Sequence, residues 1–212
     1  MNAGAAAGWY GKLPALGDFA QRRLSHDWVA RWDAWLAQGL QGLQHSEDWL
    51  QAYLAAPAWR FALLPGALGD GGASGLSVGA MVPSVDRVGR YFPLVMVATD
   101  LELPQGLSQA QALWSWAGQL EDLAVAALQQ DWTPDQVEAA LLAQPLPCSM
   151  AQAADPFSQQ LGHQAAQVLA QAWQGRSLWF RGHEPEPALS QAGLPQAAAF
   201  RTLFTPLTEP LA

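Results

Sequence analysis

Lysine is almost missing from this chain. Among 212 residues Lys12 is the only one, and Lys and Arg together number 10 against 18 Asp and Glu. A formal net charge of -8 argues against nonspecific binding to nucleic acid or to an anionic membrane. Cysteine occurs once, as Cys148. An intrachain disulfide is therefore excluded, which fits a reducing compartment, and the cytoplasm is the expected location. Charged residues make up only 13% of the chain and hydrophobic ones 50%, a balance that excludes intrinsic disorder. No apolar run reaches the roughly 18 residues that cross a bilayer. The first residues are Ala and Gly with neither a basic nor an apolar region, so no signal peptide is expected.

Chemistry-bearing patterns are also scarce. The histidines, His26, His45, His163 and His183, are scattered. Neither H-E-x-x-H nor paired cysteines occur, so no metal and no cofactor is expected. Cys148 sits in a Pro-flanked loop with no neighbouring histidine, which speaks against a catalytic thiol. Glu121-Asp122 reads as the solvated face of a helix. Gly75-Leu76-Ser77-Val78-Gly79 matches the G-x-S-x-G nucleophile elbow, which requires a strand before the serine and a helix after it. Here a Gly-rich loop precedes it and a strand-like run follows. A serine hydrolase using Ser77 is thus the alternative reading, testable by whether Ser77 stands exposed on a turn. The loop Gly66 to Gly75 fits no phosphate-binding pattern and leads into a strand, so a hairpin loop is expected.

What the chain does contain is two punctuated stretches. One reads Gly8-Trp9-Tyr10-Gly11-Lys12-Leu13-Pro14-Ala15-Leu16-Gly17-Asp18-Phe19. The other reads Pro83-Ser84-Val85-Asp86-Arg87-Val88-Gly89-Arg90-Tyr91-Phe92-Pro93-Leu94. Charge gathers around them. Residues 1–31 carry a net of +2, residues 57–99 a net of +1, and everything else a net of -11. If the two stretches meet, they form a basic island on an acidic protein. Arg87 and Arg90 flank a glycine and form a fork suited to a carboxylate or phosphate. Two readings stand side by side. The fork faces a partner, or it pairs with Asp18 or Asp86 and pins the loops together. Lys12, Asp18, Asp86, Arg87, Arg90 and Tyr91 are the candidate partner-binding residues.

Periodicity supplies the fold. Strands are expected at 9–13, 59–64, 76–82, 91–99 and 177–181. The second, third and fourth are joined by connections too short for parallel crossovers, so they form an antiparallel meander. Ser25 caps a helix whose Trp28, Trp32, Trp35, Leu36, Leu40 and Leu43 share one face. A second helix starts at Ser46 and Asp48, with Trp49, Leu50, Tyr53 and Leu54 as its face, and stops at Pro57. Ser108 with Gln111, and Thr133 with Gln136, read as capping boxes for helices over 109–130 and 134–143. The first of these turns Leu113, Trp114, Ala117, Leu120, Ala124 and Leu128 inward. Asp155-Pro156 opens a further helix to Trp173. Gly182 to Pro195 is loop, a short helix covers 196–203, and a tail holds Pro206 and Pro210. The expected class is α/β of the α+β type, with a mostly antiparallel sheet of about five strands. Helices pack on both faces in a three-layer sandwich.

These residues also carry a resemblance. Gly8-Trp9-Tyr10-Gly11-Lys12-Leu13-Pro14, Gly17-Asp18-Phe19, Arg22, Trp32-Asp33-Ala34-Trp35-Leu36, Ala56-Pro57-Ala58-Trp59-Arg60-Phe61 and the whole of Pro83 to Leu94 resemble the TagF family, also called ImpM. These are accessory proteins of bacterial type VI secretion. The resemblance is dense over 8–98, and in the helical half, 105–205, only the layout and Ser177-Leu178-Trp179-Phe180 are familiar. It implies one domain over 1–212. Some members are fused to a metal-dependent protein phosphatase, and no such domain is expected here. It further implies a non-enzymatic cytoplasmic regulator that represses secretion after translation. The partner would be a forkhead-associated scaffold protein, with a functional link to a Ser/Thr kinase–phosphatase pair. The family offers no agreed catalytic residues to carry over. A small-ligand sensor using the tryptophan-rich groove between sheet and helices is a further alternative.

Overall fold

The computed structural model describes residues 6–69, 73–147, 160, 164–165, 167–168, 171–182 and 187–205. Cys148, His163, His183, the Asp155-Pro156 helix start, part of the Gly66–Gly75 loop and the Pro206–Pro210 tail lie outside the described residues. In chain order the elements are β1 (Gly8–Gly11), β2 (Ala20–Arg22), α1 (His26–Leu43), α2 (Trp49–Leu54), β3 (Trp59–Leu63), β4 (Leu76–Val82) and β5 (Leu94–Leu101). They continue with α3 (Leu107–Gln129), α4 (Pro134–Leu142), β6 (Arg176–Phe180), β7 (Leu189–Ala192) and α5 (Ala197–Thr202).

The strands form one antiparallel sheet in the order β2-β1-β5-β4-β3-β6-β7. The expected meander is present as β3-β4-β5. Among the described residues the sheet has seven strands, not about five. The two additional ones are its edges. β2 pairs Trp9 with Arg22, and β7 lies in the stretch expected to be loop, pairing Trp179 with Leu189. Both are short and neither has a fully buried residue, as suits sheet edges. β5 begins at Leu94 rather than Tyr91; ahead of it only an isolated bridge joins Val85 to Tyr91, because the Asp86–Arg90 turn and Pro93 interrupt the ladder.

Every residue of the central strand β4 is buried. Alternate strand residues enter two separate cores, as the period of two requires. Tyr10, Phe61, Leu63, Met81, Val95 and Val97 pack with the α1 face, Tyr53 of α2 and Phe200 of α5. Trp9, Val78, Ala80, Val82, Leu94 and Met96 pack with Trp116, Leu120 and Ala124 of α3 and with Val137 and Leu141 of α4.

Helix α1 matches its expectation. The Ser25 hydroxyl accepts from the Trp28 N–H at 3.3 Å, and all six face residues are buried. Thr133 and Gln136 form the reciprocal capping box. Two details differ. Helix α3 starts at Leu107 after Gly106 and has no side-chain cap; Gln109 instead accepts from Gln105 N–H at 2.7 Å. Its inward residues include Trp116 and Ala127 rather than Trp114. In α2 only Tyr53 is buried, and Leu54 is 61% exposed.

Candidate functional site

β1 and β5 are neighbours, with Tyr10 opposite Val95. The exit of β1 therefore lies beside the entry to β5, and the two punctuated stretches meet there. Gly11 makes the approach possible. Its φ is +138°, and a Cβ at that position would sit 2.2 Å from the Pro93 carbonyl oxygen; no L side chain fits. Lys12 then turns inward. Its Nζ lies 2.5 Å from Asp86 Oδ2, with the side chains 4% and 0% exposed.

Asp86 holds the second stretch in shape. Besides Lys12 it accepts from the Val88 N–H (3.1 Å), the Arg90 N–H (2.9 Å) and Arg90 Nε (2.7 Å). Burial alone would push its carboxyl up. The Lys12 ammonium and both donors of Arg90 together outweigh that and hold it well below the usual carboxylate range. Three further bonds tie stretch to stretch. Ser84 Oγ donates to the Lys12 carbonyl at 2.7 Å, the Arg87 N–H donates to the Leu16 carbonyl at 2.8 Å, and the Arg90 guanidinium donates to the Gly17 carbonyl.

Aromatic rings close the assembly. Phe19 lies over Lys12, with Nζ 4.5 Å from its centroid. It stacks on Tyr10 at 5.6 Å and meets Phe92 edge-on at 4.8 Å. On the far side Tyr91 meets Trp49 and Tyr53 of α2 edge-on. Tyr53 donates its hydroxyl proton to the Ser84 carbonyl at 2.8 Å and accepts from the Ser84 N–H at 3.0 Å.

The stretches meet, yet the expected basic island is largely neutralised. Lys12 and Arg90 share Asp86, and Arg90 also lies 4.0 Å from Asp18. Arg60 pairs with Glu121 at 2.5 Å. Arg23 pairs with Glu138, which also accepts from the Trp9 indole at 2.6 Å. Arg87 is different. It is exposed, and among the described residues its guanidinium makes no hydrogen bond or ion pair.

The model of the TagF N-terminal domain, described as type VI secretion system-associated, matches residues 8–144. This chain belongs to the TagF family. Among solved structures, that of PA0076 from Pseudomonas aeruginosa PAO1 is 33% identical, covers 98% of this chain and 97% of its own, and superposes with a TM-score of 0.74. Among curated proteins no sequence matches.

All six candidate residues of this TagF-family chain thus lie on the paired loops, in different roles. Lys12 and Asp86 are buried against each other. Asp18, Arg87 and Arg90 are exposed, and Tyr91 is half-buried. Phe19, Ser84 and Tyr53 complete the assembly. Sequence reasoning placed Tyr53 on the face of its helix but gave none of the three a part in the loop pair, since their contacts arise from the β1–β5 pairing and the docking of α2.

Ser77 is the second residue of β4 and is fully buried. It stands opposite Leu63 in the ladder, not on an exposed turn, which overturns the nucleophile-elbow reading. A cleft of about 350 Å³ lies beside β3, β4 and β6, lined by Val78, Leu113, Trp114, Trp173 and Phe180 among others. Its described lining is aliphatic and aromatic throughout, with none of the hydroxyl, amide or charged groups that fix a ligand's orientation. No group of three metal-ligating side chains occurs among the described residues, and no described helix is long and apolar enough to cross a membrane.

Proposed function

We propose that this TagF-family chain is a non-enzymatic, cytoplasmic, post-translational repressor of a bacterial type VI secretion system, acting by binding a forkhead-associated scaffold component. A functional link to a Ser/Thr kinase–phosphatase pair belongs to the same reading. The observation that carries it is the loop pair. Residues of the two stretches that carry the family resemblance lock the loops together, and the outer face of that lock is left to solvent. Rigid loops on a sheet scaffold are where recognition surfaces are usually built. Lys12 and Asp86 are then positioning residues, and Asp18, Arg87, Arg90 and Tyr91 are available for contact. The sheet is the middle of three layers in this reading, supported by the two separate cores.

Deletion of the gene is expected to raise secretion of a type VI substrate, and its return to lower it. The purified chain is expected to capture the scaffold. Unchanged secretion together with no capture of any component of the apparatus would end the proposal.

A further inference from the structure

We infer that the outer face of the loop pair is a docking surface for an acidic protein segment carrying one apolar side chain, with Arg87 taking the carboxylates and Phe19 and Val88 taking the apolar group. This rests on the reading that the chain works by binding a protein, and it names the side chains and the chemistry of the bound segment.

The surface is rigid before it is used. Asp86 takes four donors, and three more bonds cross between the loops. Little ordering entropy remains to be lost on binding. Several groups on this platform have unspent capacity. Arg87 is an exposed guanidinium without a partner among the described residues, and one of its amino groups lies 3.7 Å from where a Gly17 Cβ would be. Val88 is 62% exposed. Phe19 touches Lys12, Tyr10 and Phe92 and still remains 42% exposed. Gly89, at φ +84°, has no atom within 4 Å of its missing Cβ, so open space borders the turn at that position. Two of the seven exposed large hydrophobics among the described residues are therefore on these two loops. Arg beside aromatic and aliphatic groups is the composition of interface hot spots.

Charge selects the occupant. The chain as a whole is at -8, which repels an extended polyanion such as nucleic acid; a short acidic segment is governed instead by the charges within about a Debye length of the loops. Locally Arg87 is an unmatched cation beside Lys12, Arg90, Asp18 and Asp86, which leave a net charge of zero. A few carboxylates on a peptide match one free guanidinium and a half-exposed second one. The apolar pair Phe19 and Val88 gives such a peptide an anchor.

The test measures binding of the intact chain to the purified scaffold by biolayer interferometry. In parallel, fluorescence anisotropy follows a labelled glutamate-rich probe peptide containing one leucine. Arg87→Glu and Val88→Asp are each expected to weaken both by about tenfold, while Arg201→Glu on α5 changes neither. Circular dichroism should show the same melting temperature for all variants, since both positions are exposed. Added salt should weaken the wild-type complex. If the scaffold binds wild type and both loop variants equally, the inference is overturned and the scaffold reading stands. If wild type does not bind the scaffold, that reading fails and the probe peptide decides; no probe binding, or equal binding by every variant, overturns the inference. Tighter binding to phosphatidylserine vesicles than to the peptide, or a dimer abolished by Arg87→Glu, assigns the face to a membrane or a second copy and also overturns it.

Discussion

A carboxylate with four donors and no exposed surface holds its neighbours only while it stays ionised. Asp86 is in that position, and its pKa in the fold is held below the ordinary value. Glu138 is shifted the same way. Burial would raise it, and the Arg23 and Trp9 donors outweigh that. Both shifts are depressions, so the stability they supply is complete above the unfolded carboxylate values near about 4 and is lost as pH falls toward the folded ones. The urea midpoint is expected to be flat from neutral pH to about 5 and to fall steeply below about 4. Asp86→Asn should flatten the acid limb and lower neutral-pH stability by about 3–5 kcal/mol, because Lys12 is left buried without its counter-charge. The sequence named both residues but left open whether the fork pins or docks. It left this open because the pairing spans 74 positions and depends on the β1–β5 register, which no local pattern encodes. The structure divides the labour: Asp86 and Lys12 pin, and Arg87 is left over.

At the scale of elements, α1 shows how closely two helices can be fitted. Gly39 faces α5, and a Cβ there would sit 2.2 Å from the Phe200 ring. Phe200 is buried and meets Trp35 edge-on at 5.4 Å. Gly39→Ala is therefore expected to displace α5 at a cost of about 1–3 kcal/mol, although alanine is the better helix former. A lowered melting temperature with faster proteolysis after residue 196 would show it, and an unchanged melt would refute it. The face of α1 was fully legible, since six apolar side chains at helical spacing leave one solution. β2 and β7 were not legible. Ala20-Gln21-Arg22 and Leu189-Ser190-Gln191-Ala192 bury little and are held as strands by the ladder of a neighbour, so tertiary context outweighs propensity there. The start of α3 misled for a related reason. Ser108 and Gln111 satisfy the capping pattern, but Gly106 takes the N-cap position two residues earlier.

At the scale of the molecule, the family model stops at residue 144 while the core does not. Trp179 of β6 is fully buried and packs on Trp32, Trp35 and Phe61. The indole N–H groups of Trp35 and Trp59 donate at 2.7 Å to the carbonyls of Pro195 and Leu203. A chain ending at 144 would expose the β3 edge and strand two buried donors. It is expected to be insoluble or to lack near-ultraviolet dichroism. In the whole chain the sheet is shared by both cores, so tryptophan fluorescence and far-ultraviolet dichroism should report one coincident unfolding transition. Separated midpoints would mean that the two cores fold independently.

The single lysine has a practical consequence. Apart from the α-amine, the chain offers one primary amine to an acylating reagent, and that amine is shut between Asp86 and Phe19. Modification at Lys12, followed by mass spectrometry, is thus a clock for one event, the parting of the two loops. In the native state it should run far slower than at the α-amine. It should quicken below about pH 4 once the amine reactivity at each pH is normalised, and it should slow when a partner covers the loops.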